Sequence, residues 1–228
     1  MPVIVFVSPK GGVGKTTSAL VLADQLARSA DVAVIDADPN KPIAMWAAGG
    51  TKPDRMTIIS DADEENIIDK IEAAATQAPF VIVDLEGTAA KIVILAVSQA
   101  DLIVIPMQGS QLDASQASRA LKVVQQQEKM SRRKVPYGVL LTRTSPIIRT
   151  RTMKHISSTF AEAGIALFNT ELNEREAFKA MFSFAQPLAE LDPNEVSNLD
   201  KAITNAEEFA DEVITKLREG MEPSQEVA

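Results

Sequence analysis

Val3-Ile4-Val5-Phe6-Val7-Ser8, continued by Pro9-Lys10-Gly11-Gly12-Val13-Gly14-Lys15-Thr16-Thr17, is the stretch on which the fold of this chain turns. Its β-branched and aromatic opening predicts a strand covered on both faces, because such side chains suit a pleated, buried surface. Behind the glycines, Ser18 to Ala27 carries apolar residues at helical spacing. Strand, glycine-rich bend and helix in that order are the setting a phosphate-binding loop requires. Glycines let the backbone approach an anion and turn successive N–H groups inward, and the helix amino terminus adds partial positive charge. In that setting Lys15 reaches the terminal phosphates and the Thr16 hydroxyl takes a place on Mg²⁺. The bland alternative is a glycine-rich turn that binds nothing; motif, strand and helix together weigh against it.

The loop departs from the standard pattern. Pro9 stands where a glycine is usual, five residues before Gly14, and Lys10 follows it directly. With this Lys-Gly-Gly-Val-Gly-Lys-Thr-Thr string the sequence resembles the deviant Walker-A ATPases of the ParA/MinD family, whose signature is the extra lysine. The resemblance implies ATP with Mg²⁺ as the ligand, held by Lys10, Gly11, Gly12, Val13, Gly14, Lys15, Thr16 and Thr17. It further implies that Lys10 crosses to the nucleotide of a second subunit, so that a homodimer forms when ATP is bound and loosens on hydrolysis. Two phosphate-bearing faces repel, and a cation from each side offsets that repulsion. The alternative for Lys10 is a solvated surface lysine.

Two further strands end on carboxylates. Val32-Ala33-Val34-Ile35 runs into Asp36-Ala37-Asp38-Pro39-Asn40, and Pro79-Phe80-Val81-Ile82-Val83 closes on Asp84. Carboxylates at the carboxyl ends of strands beside a phosphate loop lie where open α/β sheets bind ligands. Pro39 breaks the strand regularity, so one of Asp36 and Asp38 faces a metal and the other the γ-phosphate; a helix-capping aspartate pair is the competing reading. By the family resemblance Asp38 positions the attacking water and Asp36 lies near Mg²⁺. Asp84 has the Walker-B arrangement and orients the magnesium shell. Leu85-Glu86-Gly87-Thr88 departs from the family's commoner Asp-x-Pro-Pro, leaving the geometry of the second switch open.

The rest of the chain alternates helices and strands. Helices are expected over 42–48 (containing the lone Trp46, read as a packing residue), 64–76, 92–97, 113–130, 149–163 and 196–218. Strands are expected over 56–59, 101–106, 136–142 and 165–168. The fold class is therefore α/β, a single domain over 1–218 with a mostly parallel twisted sheet and helices on both faces, ending in a flexible tail over 219–228. By the resemblance, Thr142 and Arg143, just past the sixth strand, approach the adenine. The block Leu172 to Phe182 resembles small ParA-type and VirC-type proteins, with Phe178, Met181 and Phe182 read as core.

The chain has 228 residues, no cysteine and one histidine, His155, which excludes disulfide, thiolate and His-cluster metal chemistry. No run approaches the length of a membrane span, and no signal-peptide pattern opens the chain. A cytoplasmic, nucleoid-associated protein is expected. The net charge of −8 is unevenly placed: residues 129–161 hold eight basic residues and no acid. Arg132, Arg133, Lys134, Arg149, Arg151 and Lys154 are therefore candidates for contact with DNA phosphates. The alternative for 129–134 is a helix carboxyl end whose cations complement the dipole. No helix-turn-helix precedes the loop, so binding without sequence preference is expected. Three readings follow: a DNA-partition ATPase working with a ParB-like adaptor; the same switch moving a conjugation relaxosome or protein assembly; and a MinD-like membrane regulator or metabolic phosphate-loop enzyme. The acidic, proline-broken end, Glu219 to Glu226, disfavours the membrane.

Overall fold

Seven strands, β1 (Val3–Phe6), β2 (Val32–Ala37), β3 (Met56–Ile59), β4 (Phe80–Leu85), β5 (Leu102–Gln108), β6 (Tyr137–Thr144) and β7 (Leu172–Asn173), form one sheet in the order β3-β2-β4-β1-β5-β6-β7. Every neighbouring pair is parallel. The computed structural model describes residues 1–86, 90–109, 111–147 and 151–221, with the side chains of 90, 111–117, 130, 131, 151–154 and 221 left aside. Among the described residues the α-helices are α1 (Lys15–Ala27), α2 (Pro42–Gly49), α3 (Ile67–Gln77), α4 (Ala90–Gln99), α5 (Gln111–Ser131), α6 (Arg151–Glu162), α7 (Glu176–Phe184) and α8 (Leu199–Met221).

The period-2 alternation of β1 explains the layering. Ile4 and Phe6 pack toward α1, α2, α7 and α8, whereas Val3 and Val5 pack toward α3, α4, α5 and α6. Both faces are thus covered, as the near-continuous apolar strands require. From β1 at the centre, the chain winds out to β2 and β3, returns through β4, and then winds the other way through β5, β6 and β7. The point where this order reverses, at the carboxyl end of β1, is where open sheets leave a crevice for ligands.

The expected α/β architecture is observed, with one correction among the strands. Residues 165–168 form no strand: Leu167 makes a single bridge to Val139, and the last strand is instead Leu172–Asn173. Two interactions stop the ladder. The Phe168 ring packs edge-on against Phe209 of α8 at 5.8 Å between centroids, and the Glu212 carboxylate accepts the amides of Asn169 and Thr170 at 2.7 Å each. Helix α8 continues to Met221, so the first part of the expected tail is helical; residues 222–228 lie outside the described residues.

Candidate functional site

The loop after β1 is built by left-handed backbone. Gly12 has φ +75° and Gly14 φ +90°, conformations that strain any side chain-bearing residue. Gly14 occupies the N-cap position of α1 and as glycine offers no side chain to cap it, and no acidic residue sits in the first turn. The positive helix end is left to an outside anion. Behind the loop, the Thr142 hydroxyl lies 2.6 Å from Val13 O and 3.1 Å from Met107 O, and Gln108 Nε2 donates to Gly12 O at 2.9 Å. Thr142, expected near an adenine, is therefore first of all a buried fastener of the loop.

Three carboxylates meet beside it. Asp36 and Asp84 are register partners on β2 and β4, and both are fully buried. Lys15 Nζ donates to Asp84 Oδ1 at 3.0 Å. Burial pushes the Asp84 carboxyl up, against the opposing pull of the Lys15 charge and the Thr16 hydroxyl. Asp36 Oδ2 accepts the amides of Ile43 and Ala44, each at 2.9 Å, so the capping reading is realised at Asp36, on α2. Burial also raises the Asp36 carboxyl, and the Asp84 charge adds to the effect. Asp36 Oδ1 and Asp84 Oδ2 are buried with no hydrogen-bond partner among the described residues. Two orphaned carboxylate oxygens beside a threonine hydroxyl are a hard-oxygen donor set that fits Mg²⁺. Asp38 is half-buried and forms an Asx turn, its Oδ1 accepting Asn40 N at 2.8 Å and Asn40 Nδ2 at 3.0 Å.

Two cavities open on this ensemble. One, of about 350 Å³, is lined by Lys10, Gly11, Gly12, Lys15, Thr16, Asp38, Asn40 and Glu86. The other, of about 280 Å³, is lined by Ser18, Thr142, Leu172, Asn173, Glu174, Arg175, Phe178, Lys179 and Phe182. Gly14, Thr17 and Arg143 belong to both. The first is backbone-rich and polar, suited to phosphates; the second offers aromatic rings, suited to a base. Arg143 stands at the junction, exposed, with φ +51°, where the β6–β7 register shifts between Thr142 and Thr144.

The base-side wall from Leu172 to Phe182 escaped the sequence reading except as core. Phe178 and Met181 are buried, but Phe178 and Phe182 also face the cavity. The signal that was available is position: Asn173 and Arg175 follow the carboxyl end of a parallel strand, where ligands bind. At two residues, β7 is too short for its periodicity to register. Asn173 is clamped there by its Nδ2 donating to Thr144 Oγ1 at 2.9 Å and by Arg175 Nη2 donating to its Oδ1 at 3.2 Å.

Along the described backbone, β6 stands between the two parts of the basic stretch. Arg132, Arg133 and Lys134 are exposed ahead of β6, at the amino ends of the strands, opposite the loop. Arg133 pairs with Asp101 Oδ1 at 2.6 Å, and Asp101 Oδ2 accepts Val3 N at 2.9 Å. Arg151 and Lys154 lie on α6, past the other end of β6, with their side chains outside the description; Arg149 lies outside the described residues altogether. Eight residues of β6 separate the two groups by about 25 Å.

Comparisons with known proteins bear on the family and the fold. The family model VirC1 protein matches residues 1–212. Protein ParA of Rhizobium radiobacter is 38% identical over 222 residues, covering 97% of this chain and all of that protein. Protein virC1 of Rhizobium rhizogenes is 26% identical over 187 residues, 79% of this chain and 80% of that one. Among solved structures, a Cyanothece McdA in complex with ATP superposes with a TM-score of 0.73 at 19% identity, covering 93% of this chain and 96% of that chain. The MinD cell division protein of Aquifex aeolicus superposes at 0.71 with 18% identity, covering 94% and 98%. With a family match over nearly its whole length and a ParA relative at 38% identity, the chain belongs to the VirC1 family.

Proposed function

We propose that this protein is an ATP-driven switch of the DNA-partition type, in which ATP and Mg²⁺ assemble a homodimer that grips DNA without sequence preference. The observation that carries it is the uncapped amino end of α1 with Lys15 held on Asp84. A terminal phosphate competes with Asp84 for the Lys15 ammonium, and the exchange releases the Asp84 carboxylate. Thr16, Asp36 and Asp84 would then hold Mg²⁺, which would supply charge neutralisation for the phosphates. Asp38 orients the attacking water, and Lys10 reaches the nucleotide of the second copy. Thr142 and Arg143 border the base. Hydrolysis is slow and is accelerated by a ParB-like adaptor, after which dimer and DNA grip are lost.

DNA retention measured with ATP, with ADP and without nucleotide, across a salt series, tests this reading. ATP-dependent binding that falls steeply with salt is expected, since phosphate contacts release counterions. Indifference to nucleotide or to salt overturns it. Paired removal of Arg149 and Arg151, set against paired removal of Arg132 and Lys134, identifies the end of the sheet that meets DNA; loss in neither pair removes both ends from the DNA face.

A second reading keeps the switch and changes what it moves. It is favoured by the matches to virC1 proteins and to the maintenance of carboxysome distribution protein A of Halothiobacillus neapolitanus, 24% identical over 172 residues. Here the cargo is a conjugation relaxosome or a protein assembly carried over the nucleoid of the cytoplasm. Deleting the gene separates the two readings: plasmid loss at division supports partition, and loss of transfer or of assembly spacing with stable plasmids supports the second. A MinD-like role is the weaker alternative, read out by vesicle co-sedimentation. Among the described residues no helix is long and apolar enough to cross a membrane.

A further inference from the structure

Helix α2 is fastened to both halves of the site. At its amino end it is capped by Asp36, and Lys41, just before it, has φ +49° and returns its ammonium to Asp36 O at 3.2 Å. On its buried face Trp46 Nε1 donates to Met181 O at 2.9 Å, in the last turn of α7. That carbonyl also takes the amide of Gln186 at 3.1 Å. At its carboxyl end Gly50 lies so close to α7 that an added Cβ would stand 2.2 Å from Ala185 O. Helix α7 in turn presents Phe178, Lys179 and Phe182 to the base-side cavity. The carboxylate beside the phosphate loop and the wall of the base cavity therefore share one short rigid element.

We propose that α2 is a strut through which occupation of the base cavity sets the position of Asp36, with Trp46 as its positioning residue. The inference rests on the nucleotide reading above. An eight-residue helix is about 12 Å long and does not bend, and close-packed interiors shift as bodies rather than deform smoothly. A base seated against Phe182 biases α7. Through the indole bond and the Gly50–Ala185 contact α2 follows, and Asp36, bonded to two α2 amides, follows α2. A base then does more than add affinity. It improves the hold of the phosphate side on divalent metal, a coupling that phosphates alone do not evoke.

The test compares ATP with inorganic tripolyphosphate, which has the phosphates and no base, by calorimetric titration over a Mg²⁺ series. For the wild type, ATP is expected to bind about tenfold tighter and, with each Mg²⁺ midpoint taken relative to that ligand's own Mg²⁺ affinity in solution, to reach half-saturation at lower Mg²⁺ than tripolyphosphate. Equal Mg²⁺ midpoints for the two ligands overturn the strut, and that comparison needs no variant. In Trp46→Phe and, independently, Gly50→Ala, the ATP midpoint is expected to rise to the tripolyphosphate value while tripolyphosphate affinity is unchanged. A variant that keeps the low midpoint, or that loses both ligands equally as a merely misfolded site would, overturns the proposal. A wild type that binds neither ligand sinks the nucleotide reading itself, which separates the two failures.

Discussion

The two halves of the site are made in opposite ways. The phosphate half is mostly backbone: two left-handed glycines, an uncapped helix end and one buried lysine, all within residues 10–17. The base half is mostly side chain, assembled from β6, β7 and α7, with Leu172, Phe178 and Phe182 supplying its apolar surface. An anion is recognised by N–H groups whose positions a short motif dictates. A flat apolar base is recognised by surfaces that many sequences provide. Cost should therefore concentrate at single residues in the first half and spread out in the second.

The sharpest break of that contrast is Lys15→Ala. It removes the phosphate grip and leaves the buried Asp84 without its cation, a loss of about 3 kcal/mol of stability. Titration with fluorescent ADP should show no binding, and denaturant unfolding should show the second effect. Retained nucleotide binding would place the grip elsewhere. Next is Lys10→Ala, expected to spare ADP binding while abolishing dimerisation with a non-hydrolysable ATP analogue on a sizing column; an undiminished dimer contradicts the role given to Lys10. On the base side, Phe182→Ala should weaken ATP by about tenfold, within the usual worth of one base–aromatic stack, and leave tripolyphosphate alone. Weakening of both ligands alike would erase the distinction between the halves.

The smallest effect belongs to the far part of α1, the helix both halves share. Asp24 is buried and accepts Leu188 N at 3.3 Å and Gln25 Nε2 at 3.2 Å, and burial pushes its carboxyl up to about 6. The folded value lies above the unfolded one, so this contribution to stability is complete below about pH 4 and is lost as pH rises through about 6. Asp24→Asn should flatten that fall, gaining several degrees in melting temperature at pH 8 and about half as much at pH 5. Equal gains at both values would show that the Asp24 charge is not what the fold resists.

What was legible in the sequence follows the same division. Residues 10–17, Asp36 and Asp84 announce themselves because strand, loop and carboxylate are contiguous and each needs a particular residue type. The parallel sheet with two covered faces was legible from Val3 to Phe6, because a strand buried on both sides is apolar at every position instead of alternating with polar residues. The Leu172–Asn173 strand was not, since two residues carry no period and the preceding apolar run, 165–168, looks more like a strand than it behaves. Glu212, more than forty residues away, is what removes the Asn169 and Thr170 amides from pairing. Asp36 had two readings, cap and metal neighbour, and the structure realises the first with one oxygen while the other has no partner among the described residues. Charge adjacency along the chain also says nothing of the strand β6 that stands between Lys134 and Arg151.

Trp46 has one more consequence. It is the sole tryptophan, and it sits buried at the joint between α2 and α7. Excited beyond the tyrosine absorption edge, the unlabelled protein emits from that joint alone, so its intrinsic fluorescence is a ready-made optical gauge for following ligand arrival in a stopped-flow instrument.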